Sequence, residues 1–220
     1  MSIDRAGLPL IAAALGLTAV AALIGWAYAA GTALLVAVAL ALFFRDPERA
    51  SPDRAGLVLS PADGRVMVAG PASTAALLDG DWLQVSVFLS ALDVHVNRVP
   101  VSGQVTRVDY RPGRCHAAYK AEATAENERS EVWIEDAAHT VVCRQITGVL
   151  VRRVVCRLRP GDRVRAGDRL GVMKFGSRMD LFLPVGTRLM TQVGDRVRAG
   201  ETVLAELPGA AADGGPVGAR

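Results

Sequence analysis

The sequence predicts a mainly β fold: a β-sandwich or barrel-sandwich-like domain with an internal repeat, preceded by an N-terminal hydrophobic helical hairpin. Three observations predict it: a long uncharged apolar N-terminus, short β-type runs broken by glycine, proline and aspartate, and a seven-residue motif that occurs twice. The predicted organisation is a membrane-anchoring hairpin at 1–45, a β domain at 46–208 and a flexible tail at 209–220.

The first element is apolar throughout, because residues 6–44 carry no charge and consist mostly of alanine, leucine, valine, isoleucine and glycine. One straight helix through them would be roughly 58 Å long, about twice the ~30 Å hydrocarbon core of a bilayer. Gly25 and Gly31 allow a bend there, and Trp26 and Tyr28 suit the headgroup level. The stretch therefore predicts two short helices, which either span the bilayer or form a re-entrant pair in one leaflet.

A cleaved signal peptide is the alternative, since Ala27-Tyr28-Ala29 has the small-x-small cleavage pattern. A second apolar run at 30–44 follows at once and favours the hairpin. Arg5, Arg45 and Arg49 flank the apolar segment, and the positive-inside rule then puts both of its ends in the cytoplasm. The expected location is the inner membrane, with the following domain on the cytoplasmic side.

The charged residues are scattered, with 25 Lys and Arg against 22 Asp and Glu for a formal net charge of +3. Without a basic stripe, this balance favours an anionic membrane surface over nucleic acid as the partner. Cys115, Cys143 and Cys156 are an odd number without metal-ligand spacing, which fits a reducing compartment and predicts no metal site.

After the Pro-rich and charge-rich linker at 45–56, runs such as "RVMVAG", "WLQVSVFLS", "GQVTRVDY" and "MDLFLP" predict short strands, and no long amphipathic helix interrupts them. The motif "GDRVRAG" occurs at 161–167 and again at 194–200, where Gly-Asp and Ala-Gly predict two turns around an inward valine. Such units resemble the barrel-sandwich folds of biotinyl and lipoyl domains. A compact β-sandwich without any cofactor is equally compatible with them.

Lys174 in "VMKF" is the first residue to weigh, because a Met-Lys hairpin carries biotin in biotinyl domains. The spacing from Leu170 to Lys174 is shorter than in that pattern, and Phe175 replaces the second methionine. A plain surface lysine is the favoured interpretation.

Four polar islands interrupt the β-type sequence: "LSPADGRV" at 59–66, "VFLSALDVHVNRVPVSGQV" at 87–105, "ENER" at 126–129 and "FGSRMD" at 175–180. In this order, behind a hydrophobic N-terminus, they resemble the short form of the phosphatidylserine decarboxylase family. The resemblance covers about residues 45–207. It implies a proenzyme that cuts itself between Gly176 and Ser177 into a β chain, 1–176, and an α chain, 177–220.

The resemblance further implies that Ser177 becomes a covalent pyruvoyl group, the only cofactor expected. Its ketone would form a Schiff base with the serine headgroup of a membrane phospholipid and accept the electrons released with CO2. The product would be phosphatidylethanolamine. The two chains would form a heterodimer, and self-association into a homo-oligomer is compatible with this.

Ser177, His95 and Asp63 are the family-matched catalytic residues, since a neutral serine requires a base and an orienting partner. Gly176 at the cleavage site relieves hindrance and tolerates strained backbone. His95 alternates with Val94 and Val96, so its side chain faces either solvent or a polar pocket. In isolation, Asp63 in "PADG" is an ordinary turn residue.

The remaining candidates are charged or polar groups for the lipid phosphate or the cleavage loop: Asn127, Arg129, Arg98 and Arg178, with Asp180 beside the cleavage point. Each is also compatible with a structural ion pair or turn. Arg98 stands where longer bacterial relatives carry a second histidine, so a division of labour between two histidines does not transfer to this chain.

Two alternatives stay open at this point. The same chemistry on an archaeal-type ether phosphatidylserine changes only the lipid. A non-enzymatic membrane-anchored adaptor with lipoyl-like repeats is the other, and it predicts one uncut polypeptide where the decarboxylase predicts two.

Overall fold

The computed structural model describes residues 2–73, 78–120, 122–136, 138–148, 154–173 and 176–209. Lys174 lies outside the described residues, as does all of the predicted tail except Gly209. The domain boundaries at 45 and 208 stay predictions.

The N-terminus folds as the predicted helical hairpin. Helix α1 (Leu8–Leu23) and helix α2 (Ala27–Phe43) are joined by a turn in which Gly25 has φ +79°. Strand β1 (Ser2–Ile3) pairs antiparallel with strand β2 (Arg45–Asp46), which closes the base of the hairpin and returns the chain to its starting side. Within the described residues, no helix combines the length and hydropathy needed to cross a membrane.

The rest of the described chain is mainly β, which confirms the predicted fold class. Its one short helix is α3 (Ala123–Glu126). The strands are β3 (Leu57–Leu59), β4 (Gly64–Pro71), β5 (Trp82–Leu89), β6 (Val96–Arg98), β7 (Gly103–Arg111), β8 (Arg129–Glu135), β9 (Thr140–Ile146), β10 (Val155–Cys156), β11 (Arg163–Val164), β12 (Arg169–Val172), β13 (Ser177–Pro184), β14 (Arg188–Leu189), β15 (Arg196–Val197) and β16 (Val203–Glu206).

Eight strands form one antiparallel sheet in the order β11-β7-β8-β9-β13-β5-β4-β15. Two three-stranded sheets, β10-β12-β6 and β14-β16-β3, supply further core residues. The core lies between one face of the large sheet and the small sheets, because Val87 and Leu181 of the former share a buried cluster with Leu170 and Leu204 of the latter. This layering is consistent with the predicted sandwich or barrel.

The two copies of the repeated motif take equivalent positions at opposite edges of the large sheet. Strand β11 of the first copy pairs with β7, and strand β15 of the second pairs with β4. The first glycine of each copy donates its N–H to a strand carbonyl, Gly161 to Val105 and Gly194 to Val66. The sequence repeat therefore corresponds to a repeat in the structure, while its likeness to lipoyl domains stays a prediction.

The opposite face of the large sheet carries a buried polar network beside a small apolar cluster that includes Val142 and Phe182. Side chains directly opposite each other on neighbouring strands share a face, which places Glu131, Arg144, Asp180 and Ser86 in one row across four strands. All four are 3% exposed or less. This network surrounds the first half of β13, the strand that begins at Ser177.

Candidate active site

Ser177 is the first residue of β13, which lies between β5 and β9 near the middle of the large sheet. It is opposite Leu89 at the end of β5 and is fully buried. Gly176 has φ +66°, in the left-handed region that L-residues rarely adopt. The expectation that this glycine takes a conformation unfavourable to other residues is thus confirmed.

His95 lies at the base of the segment that leads to the Gly176-Ser177 peptide. Its carbonyl accepts a hydrogen bond from the N–H of Met173, three residues before Gly176, so the pairing of β6 with β12 continues up to this point. The side chain is 1% exposed. His95, just before β6, is therefore turned away from solvent, and the expectation that it faces a polar pocket stays a prediction.

The ring of His95 is held in one tautomer. Nδ1 lies 2.8 Å from the carbonyl oxygen of Asp93, so Nδ1 carries the proton and donates it, and Nε2 is the basic nitrogen. Burial lowers the pKa of His95 from 6.5 to about 4, against the opposing effect of the Asp93 hydrogen bond. Arg45 lowers the pKa further. The imidazole is therefore neutral at physiological pH.

The end of the apolar hairpin contributes to this burial. The ring centroids of Phe43 and His95 are 4.0 Å apart with an interplanar angle of 33°. Phe43 and Phe44 belong to a buried cluster with Val94 and Val96, which flank His95 in sequence, and with Val172, which is opposite Val96 on β12. Helix α2 thus ends directly on the candidate base.

An apolar cavity of about 400 Å³ opens beside this contact, between α2 and the loop before His95. At its rim, the Arg45 guanidinium donates to the carbonyls of Leu42 and Leu92. The cavity is lined by Val36, Ala39, Leu40, Leu42, Phe43, Arg45, Ala91 and Leu92. One apolar space with one cation at its edge suits a lipid tail next to a phosphate.

Asp63 lies in the turn between β3 and β4. Its carboxylate accepts two hydrogen bonds from Arg49, at 2.8 and 3.0 Å, and one from the N–H of Ala199 at 2.8 Å. Among the described contacts it makes no hydrogen bond to His95, whose ring is oriented by the Asp93 carbonyl instead. The structure thus does not pair these two candidates, and Asp63 links the linker after the hairpin to the second repeat.

Arg98, on β6, also binds the linker that follows the hairpin. Its guanidinium donates to Asp46 at 2.6 Å and to the carbonyls of Pro47 and Gly167. Its own N–H donates to Pro61, two residues before Asp63. The position of the missing second histidine is therefore next to the Asp63 turn, and Arg98 there binds backbone and Asp46.

Asn127 and Arg129 are engaged in local structure. The Asn127 amide exchanges hydrogen bonds with the backbone of His116 and donates to the Thr147 carbonyl, all at 2.7–2.8 Å. Arg129 donates to Glu131 and to the Ala125 carbonyl. These contacts favour the positioning role over direct contact with a lipid phosphate.

Arg178 and Asp180 belong to the buried polar face. Arg178 donates to the Asp180 carboxylate at 2.6 Å and to the Ser86 hydroxyl at 3.0 Å. Arg144, fully buried, lies over the Phe182 ring at 4.7 Å and pairs with Glu131. Because β13 begins at Ser177, this network fixes the strand immediately after the predicted cleavage point.

Sequence reasoning missed three features of the candidate site: Phe43, the Asp93 carbonyl, and the amide pair of Asn97 and Gln145. Asn97 is in the quoted island around His95, yet only the packing of the small sheet that contains β6 against the large sheet shows that its side chain reaches Gln145. Phe43 carried no signal beyond belonging to an apolar run.

A buried neutral histidine whose backbone is bonded to Met173, four residues before a buried serine, is compatible with an enzyme that activates a hydroxyl nucleophile. The comparisons with known proteins define this class further. The family model described as phosphatidylserine decarboxylase matches residues 37–205. The chain belongs to the phosphatidylserine decarboxylase family.

Relatives with the name phosphatidylserine decarboxylase proenzyme cover nearly the whole chain. The protein from Mycobacterium leprae is 46% identical over 217 residues, which are 93% of this chain and 88% of the relative. Those from Mycobacterium marinum and Mycobacteroides abscessus are 45% and 44% identical, over 94% of this chain and 87% and 88% of theirs.

Proposed function

We propose that the protein decarboxylates phosphatidylserine to phosphatidylethanolamine and CO2. Family membership, with similarity over almost the whole chain, is the observation that carries this proposal. The neutral, buried His95 supports it, because its backbone is hydrogen-bonded to Met173, four residues before the predicted nucleophile Ser177.

The chain prepares its own reactive group in this proposal. His95 takes the hydroxyl proton of Ser177, the oxygen attacks the Gly176 carbonyl, and the amide becomes an ester. β-Elimination releases the Gly176 carboxylate and leaves a dehydroalanine at the start of the small chain. One water hydrolyses its imine form, so that ammonia leaves and a pyruvoyl group remains. The positive φ of Gly176 supports this step, because glycine adopts this backbone conformation without the strain that an L-residue would have.

The pyruvoyl ketone supplies the electron sink that loss of CO2 from an amino acid requires. The surroundings of Ser177 fit such a group, since the site is fully buried and excludes water from a reactive ketone. His95 then holds a proton at Nε2 for the carbon that lost CO2. The Asp93 carbonyl keeps the ring in the tautomer needed for both tasks.

The hairpin brings this site to its lipid. Its surface is unusually apolar, with Leu17, Leu23, Trp26, Tyr28 and Leu35 all 66% exposed or more. We infer that this surface lies in the membrane at the cytoplasmic side, with the catalytic domain at 46–208 next to the headgroups. The cavity beside Phe43 then receives a lipid chain, and Arg45 is available to the phosphate.

Asp63, Arg98, Asn127, Arg129 and Arg178 support the site in this proposal. The contacts of Asp63 and Arg98 with the linker, at Arg49 and Asp46, hold the hairpin on the domain. Those of Asn127, Arg129 and Arg178 fix the strands around Ser177. None of these roles requires contact with the headgroup.

The test is conversion of phosphatidylserine in mixed micelles by the detergent-solubilised full chain, followed by mass spectrometry of the lipids. We expect the wild type to form phosphatidylethanolamine and His95→Gln to lose at least about 100-fold in rate, as expected for a lost acid-base group. His139→Gln is the matched control, because His139 contacts only Asp136 in the described chain. A wild-type protein that converts no phosphatidylserine would contradict the function.

A further inference from the structure

Asn97 and Gln145 form a buried amide pair between the two layers of the domain. Both are fully buried, and the Gln145 Nε2 group donates to Asn97 Oδ1 at 2.9 Å. Two further atoms of the pair, Asn97 Nδ2 and Gln145 Oε1, have no hydrogen-bond partner among the described residues. The pair therefore presents one unmatched N–H group and one unmatched carbonyl oxygen.

This conclusion does not depend on how the amides are oriented. If both are turned over, Asn97 Nδ2 donates to Gln145 Oε1, and the unmatched groups become Gln145 Nε2 and Asn97 Oδ1. One donor and one acceptor remain unmatched in either case. Buried polar groups in native proteins are nearly always hydrogen-bonded, so an unmatched pair of this kind points to a polar group that it binds.

The pair lies next to the candidate active site. Asn97 lies in β6, the strand that begins directly after His95, and is two residues from His95 in sequence. Gln145 is directly opposite Met179 on β13, and Ser177 is two residues before Met179 on the same face. The amide pair thus joins the segment that follows His95 to the part of the large sheet where Ser177 lies diagonally from Gln145.

We propose that Asn97 and Gln145 bind the amino-acid part of the serine headgroup and discriminate phosphatidylserine from phosphatidylethanolamine. The headgroup carries a carboxylate, which accepts the unmatched N–H, and an amine, which donates to the unmatched carbonyl. This inference rests on the proposed function. It assigns substrate specificity to two residues that do not touch the lipid tail or phosphate.

A neutral amide is a suitable donor for a carboxylate that must be lost. A guanidinium would bind the ground-state carboxylate more strongly than the transition state, in which the negative charge is leaving that group. An amide N–H orients the carboxylate at a smaller cost to the barrier. Since both amides are buried in the uncut chain, the subsite serves the enzyme after cleavage at Gly176.

The first test is the double variant Asn97→Leu with Gln145→Met, which replaces both partners with apolar side chains of similar size and leaves no new unmatched group. We expect it to cleave itself like the wild type and to unfold at the same or a higher temperature. Its kcat/KM for phosphatidylserine in mixed micelles should fall by about 10-fold or more. Inhibition by added phosphatidylethanolamine, which lacks the carboxylate, should weaken less.

A second variant, Asn97→Asp, keeps the size of the side chain and places a carboxylate against that of the headgroup. We expect it to lower the kcat/KM for phosphatidylserine and to strengthen inhibition by phosphatidylethanolamine. A packing defect does not produce these two opposite effects. This variant also decides the matter if the double variant fails to fold.

An unchanged kcat/KM in the double variant would overturn the inference. So would an equal loss in kcat/KM for phosphatidylserine and in inhibition by phosphatidylethanolamine, together with a lowered unfolding temperature. These outcomes are read against a wild type that converts phosphatidylserine. A wild type that cleaves itself but converts none would instead overturn the proposed function, and the headgroup assignment with it.

Discussion

At the scale of residues, the site depends on a histidine that is kept neutral by its surroundings. His95 is buried under Phe43, and its Nδ1 proton is committed to the Asp93 carbonyl. A general base must be unprotonated to accept a proton, and a pKa of about 4 keeps His95 in its basic form at every physiological pH. The same burial has a measurable effect on stability.

The folded chain should lose stability in acid through His95. Its pKa falls from 6.5 to about 4 on folding, so between these pH values the unfolded chain binds a proton that the folded chain does not. The free energy of unfolding therefore decreases as the pH drops from 6.5 to 4, by about 3 kcal/mol for the full shift.

Urea unfolding of the Ser177→Ala chain at pH 7 and pH 4.5 measures this loss, and the same chain with His95→Gln is the control. The difference between the two pH dependences isolates His95 from the carboxylates, including Asp93 beside it, and from Arg45. Identical pH dependences in both chains would show that His95 is not buried as a neutral group.

Much of the site follows from local sequence, and the rest depends on contacts between distant residues. Gly176-Ser177 and His95 could be predicted because their motifs are contiguous and because glycine has a specific backbone use. The Asn97–Gln145 contact joins residues 48 positions apart, and nothing in either segment indicates it. The Asp93 carbonyl also escapes prediction, because every residue carries such a group.

At the scale of elements, the hairpin is attached to the β domain through its base. The N–H of Asp4 donates to the Phe44 carbonyl, the Asp4 carboxylate pairs with Arg157 at 2.7 Å, and Asp46 pairs with Arg98 at 2.6 Å. Gly7, just before α1, lies directly against the fully buried Phe44 ring. The attachment therefore depends on close packing at one glycine.

Gly7→Ala should loosen this attachment. An added Cβ would lie 2.4 Å from Cγ of Phe44, a ring that has no room to move, and such overpacking typically costs about 1–3 kcal/mol. Gly16→Ala, on the exposed part of α1, is the matched control because a Cβ there meets nothing within 4 Å.

Thermal unfolding in detergent, together with the rate of small-chain formation, provides the measurement. We expect the Gly7 variant to unfold at a lower temperature and to cleave more slowly, since Phe43 next to Phe44 covers His95. Equal behaviour of the two variants would mean that the hairpin does not brace the site.

The hairpin could be predicted because an uncharged apolar stretch of this length, with glycines near its middle, favours two short helices. The repeat could be predicted because its seven residues recur without change. The docking of the two copies at opposite edges of one sheet could not. Edge pairing is decided by which strand groups remain unpaired, and this depends on the whole topology.

At the scale of the whole molecule, the predicted cut falls within the fold and not between domains. The small chain, from Ser177 onward, contributes β13, which has a partner strand on both sides. It also contributes β15 and β16, which pair with β4 and β3 of the large chain. The strand order that produces this interlacing could not be read from sequence, because each strand is short and its partners are distant.

The two chains should therefore stay together after cleavage. In size-exclusion chromatography in mild detergent we expect both to elute in one peak, and to separate only in guanidinium chloride. Small chain that elutes alone under native conditions would contradict the central position of β13.

The most direct test of a self-made pyruvoyl enzyme is the intact mass of the purified wild-type protein beside Ser177→Ala. We expect two wild-type chains that end and begin at the Gly176-Ser177 bond, with the small chain lighter than a serine-started peptide by one ammonia and blocked to Edman sequencing. The variant should remain one chain of 23.1 kDa. A folded wild-type protein that also remains a single uncut chain would contradict the account.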